Sequence, residues 1–442
     1  MKRQWDRLLF FACLAFLSIV IAFGAGMYVA DRHKFPYFQV RIATIAAICN
    51  YGLEFASVFF KEKHKKYPFV WASTRETTTG VVIHDPSRTF RGYTLITDND
   101  TSARLIDMQG NVIHQWCKPF SEVWPQPKHV EPLIDPVPRE LIYWQRAFLF
   151  PNGDLIAIYA GPFAPYGAGI ARLNARSGLI WKADINAHHD LAVAEDGRII
   201  TLTHKYNYEQ GRPRIDDTIV VLSPDGTVLN QAPIYEVVKK SPYYYLIPDA
   251  PYGDYLHTNN IELLTSDKAS GFPFLKAGDI LLSHREAVGI TVVDAETMTV
   301  KWALTGVASS VHDADYLENG RIVFFENKAY RQGSQVLEWD CTRNQPGWRF
   351  TPADYAGYFA QSGIYPQSQD GFFSYIGGRQ QKLPNGNYLI VETTGGTVFE
   401  VTPEKEVVWK YVSTHFDGES IGMVYDAQRY APDDLPFILN HP

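Results

Sequence analysis

The stretch that decides the fold is LENGRIVFF, residues 317–325, in which an Asn-Gly turn leads into an apolar strand. Asn-Gly and Asp-Gly turns between alternating apolar segments are strong signals for a β-hairpin. From about residue 79 onward the same pattern recurs, as FPNGDLIAI (150–158), AEDGRIITL (194–202), KAGDILLS (276–283) and LPNGNYLIV (383–391). Each copy therefore predicts the first hairpin of a repeated β unit.

A second pattern closes most units with an outer strand that ends in tryptophan. It appears as IDMQGNVIHQW (106–116), LNARSGLIWK (173–182), VDAETMTVKW (293–302) and VTPEKEVVWKY (401–411), while LSPDGTVLNQ (222–231) has an amide instead. Self-similar units of four strands are typical of a β-propeller. The units lie near 80–120, 141–182, 188–232, 256–304, 311–350 and 374–412. We therefore predict an all-β fold, a six-bladed β-propeller over 76–442, with Trp116, Trp181, Trp302 and Trp409 wedged between blades.

Composition agrees with this fold and limits the partners. The chain has 442 residues, of which 46% are hydrophobic and 14% aromatic, which suits a large core built from many short strands. The net charge of -7, without a dense Lys/Arg block in the body, argues against a nucleic-acid partner. No Cys-x-x-Cys pattern occurs, so Cys117 and Cys341 are expected to be buried free thiols.

The first 75 residues have a different character. Residues 8–30 form an uncharged apolar segment, long enough to span a bilayer as a helix and without a convincing cleavage site. We predict a membrane anchor over 1–30, followed by an amphipathic helix and linker over 31–75. In the second apolar stretch, 42–60, polar Asn50, Glu54 and Ser57 share one helical face, which favours a helix lying on the membrane. If 42–60 also spanned, the propeller would lie on the cytosolic side.

Histidine recurs in register with the hairpins. Eight residues before the hairpin glycine stand Gln145, His189, His312 and Gly378 in four of the units, and YLHTNNIELL places His257 at the corresponding strand start in another. The innermost strands of a propeller line its central channel. The three imidazoles are therefore expected to converge near the axis.

Two neighbours of His257 are expected to join this group. Arg285 leads out of the same hairpin, and Asn259 projects to the same side of its strand as His257. The aspartates that follow His189 and His312, Asp190 and Asp313, could instead orient the imidazoles or close local turns.

Two chemistries fit such a channel. Three imidazoles could bind zinc or another transition metal. A nearby guanidinium disfavours a second cation and favours an anion such as sulfate or phosphate. In that setting one neutral histidine could act as nucleophile and another as general acid. We therefore predict an anion site, with no metal and no cofactor.

Three segments together resemble the bacterial arylsulfate sulfotransferases. They are LHTNNIELL with GDILLSHRE (256–264 and 278–286), VHDADYLENGRIVFFEN (311–327) and HHDLAVAEDGRI (188–199), and the resemblance extends over about 92–430. It implies a six-bladed propeller enzyme that moves a sulfuryl group from a phenolic sulfate to a phenol. The implied mechanism is ping-pong and uses no nucleotide sulfate donor. The sequence departs from the family at ENK (326–328), where Asp-Asn-Gly is usual.

The resemblance also implies a role for each residue. His312 would attack sulfur to form a sulfohistidine, while His257 and Arg285 hold the sulfuryl oxygens. His189 would protonate the leaving phenolate, with His188 as the alternative. The other expected substrate-binding residues are Asn259, His188, Asp313, Trp144 and Tyr255, the last two by stacking on a phenol at the channel mouth.

Other functions and a location complete the expectations. A sulfate or phosphate ester hydrolase on the same site stays open, as does a non-catalytic scaffold that binds through loops such as 241–256, SPYYYLIPDAPYGDYL. A homo-oligomer is also left open. The expected location is the bacterial inner membrane, with one spanning helix and the propeller in the periplasm.

Overall fold

The computed structural model describes residues 71–74, 77–130, 141–161, 167–207, 214–247, 251–286, 289–327, 333–355, 360–361, 372–416 and 420–439. The predicted anchor, the second apolar stretch and most of the predicted linker lie outside these ranges. Within them, no helix has the length and apolar character needed to cross a membrane.

Short strands make up almost all of the regular structure. In chain order they are β1 (Trp71–Thr74), β2 (Gly80–His84), β3 (Tyr93–Thr97), β4 (Ser102–Ile106), β5 (Val112–Cys117), β6 (Tyr143–Leu149), β7 (Leu155–Ala160), β8 (Gly167–Leu173), β9 (Leu179–Ala183), β10 (Ala187–Val193), β11 (Ile199–Asn207), β12 (Arg214–Leu222), β13 (Val228–Pro233), β14 (Thr258–Leu263), β15 (Ile280–His284), β16 (Gly289–Asp294), β17 (Thr299–Leu304), β18 (Val311–Tyr316), β19 (Arg321–Glu326), β20 (Gln335–Asp340), β21 (Gln345–Phe350), β22 (Ala360–Gln361), β23 (Arg379–Lys382), β24 (Tyr388–Glu392), β25 (Thr397–Val401), β26 (Val407–Val412), β27 (Ser420–Gly422) and β28 (Asp426–Tyr430).

Helices are few and short. The α-helices are α1 (Phe120–Val123), α2 (Ile234–Lys239) and α3 (Pro436–Leu439), and single 3₁₀ turns occur at Tyr244–Leu246, Ala269–Gly271, Pro352–Asp354 and Pro432–Asp434. Each α-helix fills a gap beside a blade. For example, α1 buries Phe120 and Val123 in the core that the first two blades share.

The strands form six antiparallel blades, which confirms the predicted six-bladed β-propeller. Four blades are runs of consecutive strands, β6 to β9, β10 to β13, β14 to β17 and β18 to β21. The first blade has the order β28-β3-β4-β5, and the sixth has the order β2-β26-β25-β24-β23. A separate three-stranded sheet, β22-β1-β27, completes the described strands.

The predicted first unit, 80–120, is not a single blade. Strand β2 pairs with β26 as a fifth strand of the sixth blade, with Gly80 opposite Val412. The innermost place of the first blade is taken by β28, with Asp426 opposite Thr97. Both pairings join segments more than 300 residues apart and close the ring, so a local sequence pattern could not reveal them.

Outer-strand tryptophans link neighbouring blades, which confirms the predicted wedge for Trp116, Trp181 and Trp409, while Trp302 packs against the core cluster of the fourth and fifth blades. The Trp116 indole donates to the Gly153 carbonyl at 3.0 Å, and the Trp181 indole donates to the Pro224 carbonyl at 3.0 Å. In the sixth blade, Trp409 donates to the carbonyl of Met108 at 3.0 Å. In each case the acceptor lies in a turn of the following blade. The fifth blade uses Trp348 in the same way, although its sequence matches the repeat only loosely.

Both cysteines of the body are free thiols, as predicted. Cys341 is partly buried, but Cys117 is exposed, contrary to expectation. The reason is its position, because Cys117 is the last residue of β5, the outermost strand of the first blade.

The tryptophan links predict a difference in stability between two matched variants. Trp116 is fully buried and Trp181 is only partly buried, yet both make the same kind of inter-blade bond. We expect Trp116→Phe to lower the free energy of unfolding by about 2 to 3 kcal/mol, because it strands a buried carbonyl. Trp181→Phe should cost about 0.5 to 1 kcal/mol, since water can replace the indole. Urea unfolding followed by circular dichroism measures both, and equal losses would contradict the wedge.

Candidate active site

Irregular backbone marks the place where the innermost strands turn polar side chains inward. Register shifts interrupt β10 between His188 and Leu191, and β18 between His312 and Asp315. Strand β14 has a shift beside Asn259. His189 has φ 60° and Asp313 has φ 48°, in the left-handed region that few non-glycine residues adopt. Bulges of this kind re-aim side chains and are common next to active sites.

The predicted histidines gather around the channel axis. The His189 and His257 rings meet edge to face, with their centroids 5.1 Å apart. Burial lowers the pKa of His189 well below its usual range, and the nearby charges of His188, His257 and His312 add to this effect. His189, rather than His188, therefore contacts the second histidine of the group.

His312 is held as a neutral imidazole. Its exposed fraction is 6%, and burial lowers its pKa well below the usual value, with the positive charge of Arg285 acting in the same direction. Its Nδ1 lies 3.4 Å from the Ser310 carbonyl, which can only accept. His312 also has a hydrogen bond with the Asn327 side chain. With its proton on Nδ1, directed at Ser310, the neutral ring carries a lone pair on Nε2. A neutral imidazole with a free lone pair is the form that can act as a nucleophile.

Arg285 supplies a positive charge beside the imidazoles. Its backbone N–H donates to the His257 carbonyl at 3.1 Å, which ties the two residues together. The Nη1 group donates to Glu286 at 2.8 Å. The Nε group is buried and has no hydrogen-bond partner among the described residues. A buried guanidinium donor of this kind suits an oxyanion.

Two residues hold His257 and His312 in place. His257 Nδ1 lies 2.5 Å from Asp254 Oδ2, so the carboxylate orients the imidazole. Asn259 donates through Nδ2 to the Val311 carbonyl at 2.9 Å and accepts from Ser283 Oγ at 2.6 Å. Asn259 thus links β14 to the residue before His312. Its polar atoms serve the scaffold, whereas we expected them to reach a substrate.

The two predicted stacking residues do not lie at the channel mouth. Trp144 is fully buried and packs edge to face on Tyr159, 5.7 Å away, in the core shared by the first two blades. Tyr255 is 9% exposed, belongs to another core cluster and donates through its hydroxyl to Asp216 at 3.2 Å. The expectation of phenol stacking is therefore corrected for both. Their large apolar rings are buried because they fill the spaces between blades.

His188 is buried and lines a small pocket beside His189. Its Nδ1 lies 2.7 Å from His189 Nδ1, and its ring lies 4.8 Å from the ring of His204. On the other side its Nε2 lies 3.6 Å from Asp217 Oδ1. Together with Asp254, His257 and other residues these groups line a cavity of about 10 Å³, room for about one water molecule.

A ring of charged and amide residues crosses the channel next to the histidines. Its members are Asp426, Arg146, Asp190, Asn260, Asp313 and Arg379, one from the innermost strand of each blade in turn. Arg146 bonds Asp426 at 2.6 Å and Asp190 at 2.9 Å, and Arg379 bonds Asp313 at 2.7 Å. Asn260 donates to Asp190 at 3.1 Å. We call this set the ionic ring.

The ionic ring explains both aspartates of the His-Asp pairs. Burial acts to raise the pKa of Asp190, but the charges of Arg379 and Arg146 outweigh it, and the pKa lies below its usual value. Asp313 holds Arg379 and accepts from the Gln380 backbone at 2.6 Å. We expected Asp313 to bind substrate. Its carboxylate is instead bound to other members of the ionic ring. Arg379 also donates to the His189 carbonyl at 2.8 Å, so the ring fixes the backbone of the site.

Beyond the ionic ring a second cavity lies toward the other ends of the innermost strands. It measures about 280 Å³, and its polar lining includes Glu262, Lys268, Asp315 and Lys382. Burial raises the pKa of Glu262 to about 7, although the charge of Lys268 opposes the shift. Burial also raises the pKa of Asp315 well above its usual range, and the charge of Asp313 adds to it.

The ring could have been found in the sequence, but other site residues could not. Seven residues before the hairpin glycine stand Arg146, Asp190, Asp313 and Arg379, an alternation of charge in register with the histidines. Asp254, His204 and Asp217 were also missed. They come from a loop and from the second and third strands of the third blade, outside the register of the repeat.

One further cluster has the composition of a cation site. The ligand atoms of Asp98, Asp100 and His415 lie within 4.8 Å of one another. Arg104 forms an ion pair with Asp98, however, and this fixed positive charge competes with any metal ion. The histidines of the channel do not form such a cluster among the residues that the structure describes.

The fold and the site together define a six-bladed β-propeller whose channel brings buried imidazoles beside a guanidinium. The family model described as arylsulfotransferase (ASST) matches residues 146–414, more than half of the chain. The chain therefore belongs to the arylsulfotransferase family, and this membership indicates an aryl sulfotransferase enzyme. No curated protein matches the chain.

Solved structures with a similar fold are distant in sequence. A Bacteroides caccae protein of unknown function is 12% identical with a TM-score of 0.47, and the match covers 77% of this chain and 99% of that one. Virginiamycin B lyase from Staphylococcus aureus is 10% identical with a TM-score of 0.39, covering 80% of this chain and 97% of that one. At these values the similarities do not indicate a shared activity.

The raised pKa of Glu262 predicts how stability depends on pH. A carboxyl whose pKa is higher in the folded state than in the unfolded state, where it is about 4.3, destabilises the fold as pH rises between the two values. Glu262→Gln cannot ionise. We therefore expect the variant to match wild type near pH 4 and to exceed its free energy of unfolding by on the order of 2 kcal/mol at pH 8. Urea unfolding between pH 4 and pH 8 tests this expectation, with the exposed Glu404→Gln variant as the control. A difference in free energy of unfolding that does not change with pH would contradict the raised pKa of Glu262.

Proposed function

We propose that the protein is a membrane-anchored aryl sulfotransferase that works through a sulfohistidine on His312. The observation that carries the proposal is the neutral, buried imidazole of His312 beside the guanidinium of Arg285. A sulfuryl group needs a nucleophile with a free lone pair and donors for its oxygens. His312 Nε2 provides the first. Arg285 and His257 provide the second.

The reaction has two balanced halves. In the first, the His312 Nε2 lone pair forms a bond to sulfur while the bond from sulfur to the aryl oxygen breaks, and the oxygen keeps the electron pair. His189 donates a proton to this leaving oxygen, which departs as a phenol. In the second half, the oxygen of an acceptor phenol bonds to sulfur as the N–S bond breaks. His189 takes the phenol proton, and His312 regains its lone pair.

Burial of the site favours transfer to a phenol over transfer to water. His312 is 6% exposed and His257 is 9% exposed, while His189 is partly buried. A closed site excludes water from a reactive intermediate. In a hydrolase, water would replace the phenol as acceptor. Slow release of inorganic sulfate therefore distinguishes the transferase from the hydrolase.

The covalent intermediate gives the first test. When the full-length protein in detergent is mixed briefly with 4-nitrophenyl sulfate, its intact mass should rise by about 80 Da as one nitrophenol is released per chain. The His312→Ala variant should show neither change. His84→Ala, in outer strand β2, should behave as wild type.

The acceptor completes this test. Added phenol should return the mass to its starting value and yield a new aryl sulfate at least about tenfold faster than water yields inorganic sulfate. Inorganic sulfate as the main product would favour the hydrolase. A folded wild type that gains no mass and releases no nitrophenol would remove the proposed mechanism and favour a binding role.

The location follows from the amino terminus. We infer an anchor over 8–30 because this segment is apolar, uncharged and long enough to span a bilayer. With one span, the propeller would lie in the periplasm of a bacterial cell. With 42–60 as a second span, it would lie in the cytosol.

Reporter fusions decide between these topologies. We expect alkaline phosphatase fused after residue 442 to be at least about tenfold more active than a fusion of a protein that stays in the cytosol, because the phosphatase folds only where disulfides form. A fluorescent protein fused at the same position should be dark after export. Fluorescence with inactive phosphatase would instead support two spans.

A further inference from the structure

The proposed reaction needs a proton for the leaving oxygen, and His189 alone is a poor source of it. Burial lowers the pKa of His189 well below its usual range, so the imidazolium form is scarce at neutral pH. A neutral imidazole can still give its Nε2 proton if another proton reaches Nδ1 at the same time. The source of that second proton is the question. This inference rests on the proposed function.

The contacts of His189 lead outward to a carboxyl group. His189 Nδ1 lies 2.7 Å from His188 Nδ1, so one of these atoms must donate and the other accept. His188 is 2% exposed, and its Nε2 lies 3.6 Å from Asp217 Oδ1, beside a cavity of about 10 Å³. One water molecule fits there and can bridge the two atoms. Asp217 is fixed by its Oδ2, which accepts from the Thr258 backbone at 2.7 Å.

We propose that Asp217 supplies and recovers the proton of the sulfuryl transfer through His188 and His189. In the resting state His188 carries its proton on Nδ1, His189 carries its own on Nε2 and Asp217 is protonated. His188 and Asp217 act through His189 and do not contact the substrate. They are therefore positioning residues, which determine the nitrogen of His189 that carries the proton.

Every transfer in this relay balances. His189 Nε2–H gives its proton to the leaving aryl oxygen, and His188 Nδ1–H gives its proton to His189 Nδ1. In the same step Asp217 gives its proton, through the bridging water, to His188 Nε2. Both imidazoles end neutral with their protons on the opposite nitrogens, and Asp217 ends as a carboxylate. The acceptor phenol reverses each step in the second half-reaction.

The electrostatics of the third blade support this direction. Burial raises the pKa of Asp217 to about 7, and the negative charge of Asp254 adds to the effect. A group with that pKa both gives and takes a proton near neutral pH. Burial lowers the pKa of His188 to about 4, so the relay avoids a charged intermediate.

The other titratable groups around Asp217 are compatible with a neutral relay. His257 and Asp254 form a separate hydrogen-bonded pair. Burial lowers the pKa of His204 well below its usual range, so this ring adds no charge. The Tyr255 hydroxyl is engaged with Asp216. Thr258, on the adjoining strand, has no titratable group and donates to the carboxyl through its backbone N–H and its side chain.

The leaving group provides a sharp test. Asp217→Asn keeps the shape and the acceptor for Thr258 but cannot deliver a proton. Formation of the sulfohistidine from phenyl sulfate, whose leaving oxygen is strongly basic, should slow on the order of 100-fold. With 4-nitrophenyl sulfate, whose leaving group needs little protonation, the loss should be under about fivefold. Rapid-quench mass measurement on the full chain gives both rates.

A matched control removes a different buried carboxylate. Asp279 is fully buried and pairs with Lys301 at 2.7 Å, outside the relay. Asp279→Asn should leave the ratio of the two rates as in wild type. Equal slowing of both donors by Asp217→Asn, or no slowing, would overturn the relay while leaving the transferase intact.

A measurement on wild type covers the case in which Asp217→Asn does not fold. In mixtures of light and heavy water, the rate with phenyl sulfate should depend on the deuterium fraction along a curved line, because several protons move together. A straight line would overturn the relay. If wild type gains no mass from either donor, it is the proposed function that fails.

Discussion

The structure depends on the ionic ring that crosses the central channel. Two guanidinium groups and three carboxylates are taken out of water there, one charged residue from each of five blades, with Asn260 completing the circle. Such burial is costly, and removing one partner of a buried ion pair typically destabilises a protein by about 3 to 5 kcal/mol. Because the bonds run between innermost strands, the ring holds the blades in one arrangement.

The ionic ring also gives the channel two different ends. On one side Arg379 holds the carbonyl of His189, so the imidazoles sit on a backbone that the ring fixes. On the other side the cavity around Glu262 and Asp315 contains carboxyls whose pKa values are raised by burial. Desolvation acts on both ends, but with opposite chemical results. It lowers the pKa values of His189 and His312 on one side and raises those of Glu262 and Asp315 on the other.

The sequence analysis predicted the features that repeat from blade to blade and missed those that occur only once. The constant spacing from the hairpin glycines located His189 and His312, because every blade has the same first hairpin. The substrate-binding roles expected of His188 and Asp313 did not come from this spacing, and the structure has His188 lining a small buried pocket and Asp313 bound to Arg379. Trp144 and Tyr255 were assigned to the mouth from residue type alone, yet aromatic rings are more often used to fill the core. Asp217 faces His188 only because β12 lies beside β11, a contact that depends on the assembled sheet.

Closure of the propeller has a consequence for the order in which its blades can fold during synthesis. Strands β3 to β5 emerge early, but their innermost partner β28 is synthesised more than 300 residues later. Until then one edge of β3 has no partner from its own blade, and exposed strand edges are where chains associate wrongly. The middle blades can assemble as they appear, whereas the first must wait until β28 has been synthesised. A chain truncated near residue 420 would therefore contain the strands of the middle blades but lack β28, and its first blade would stay open.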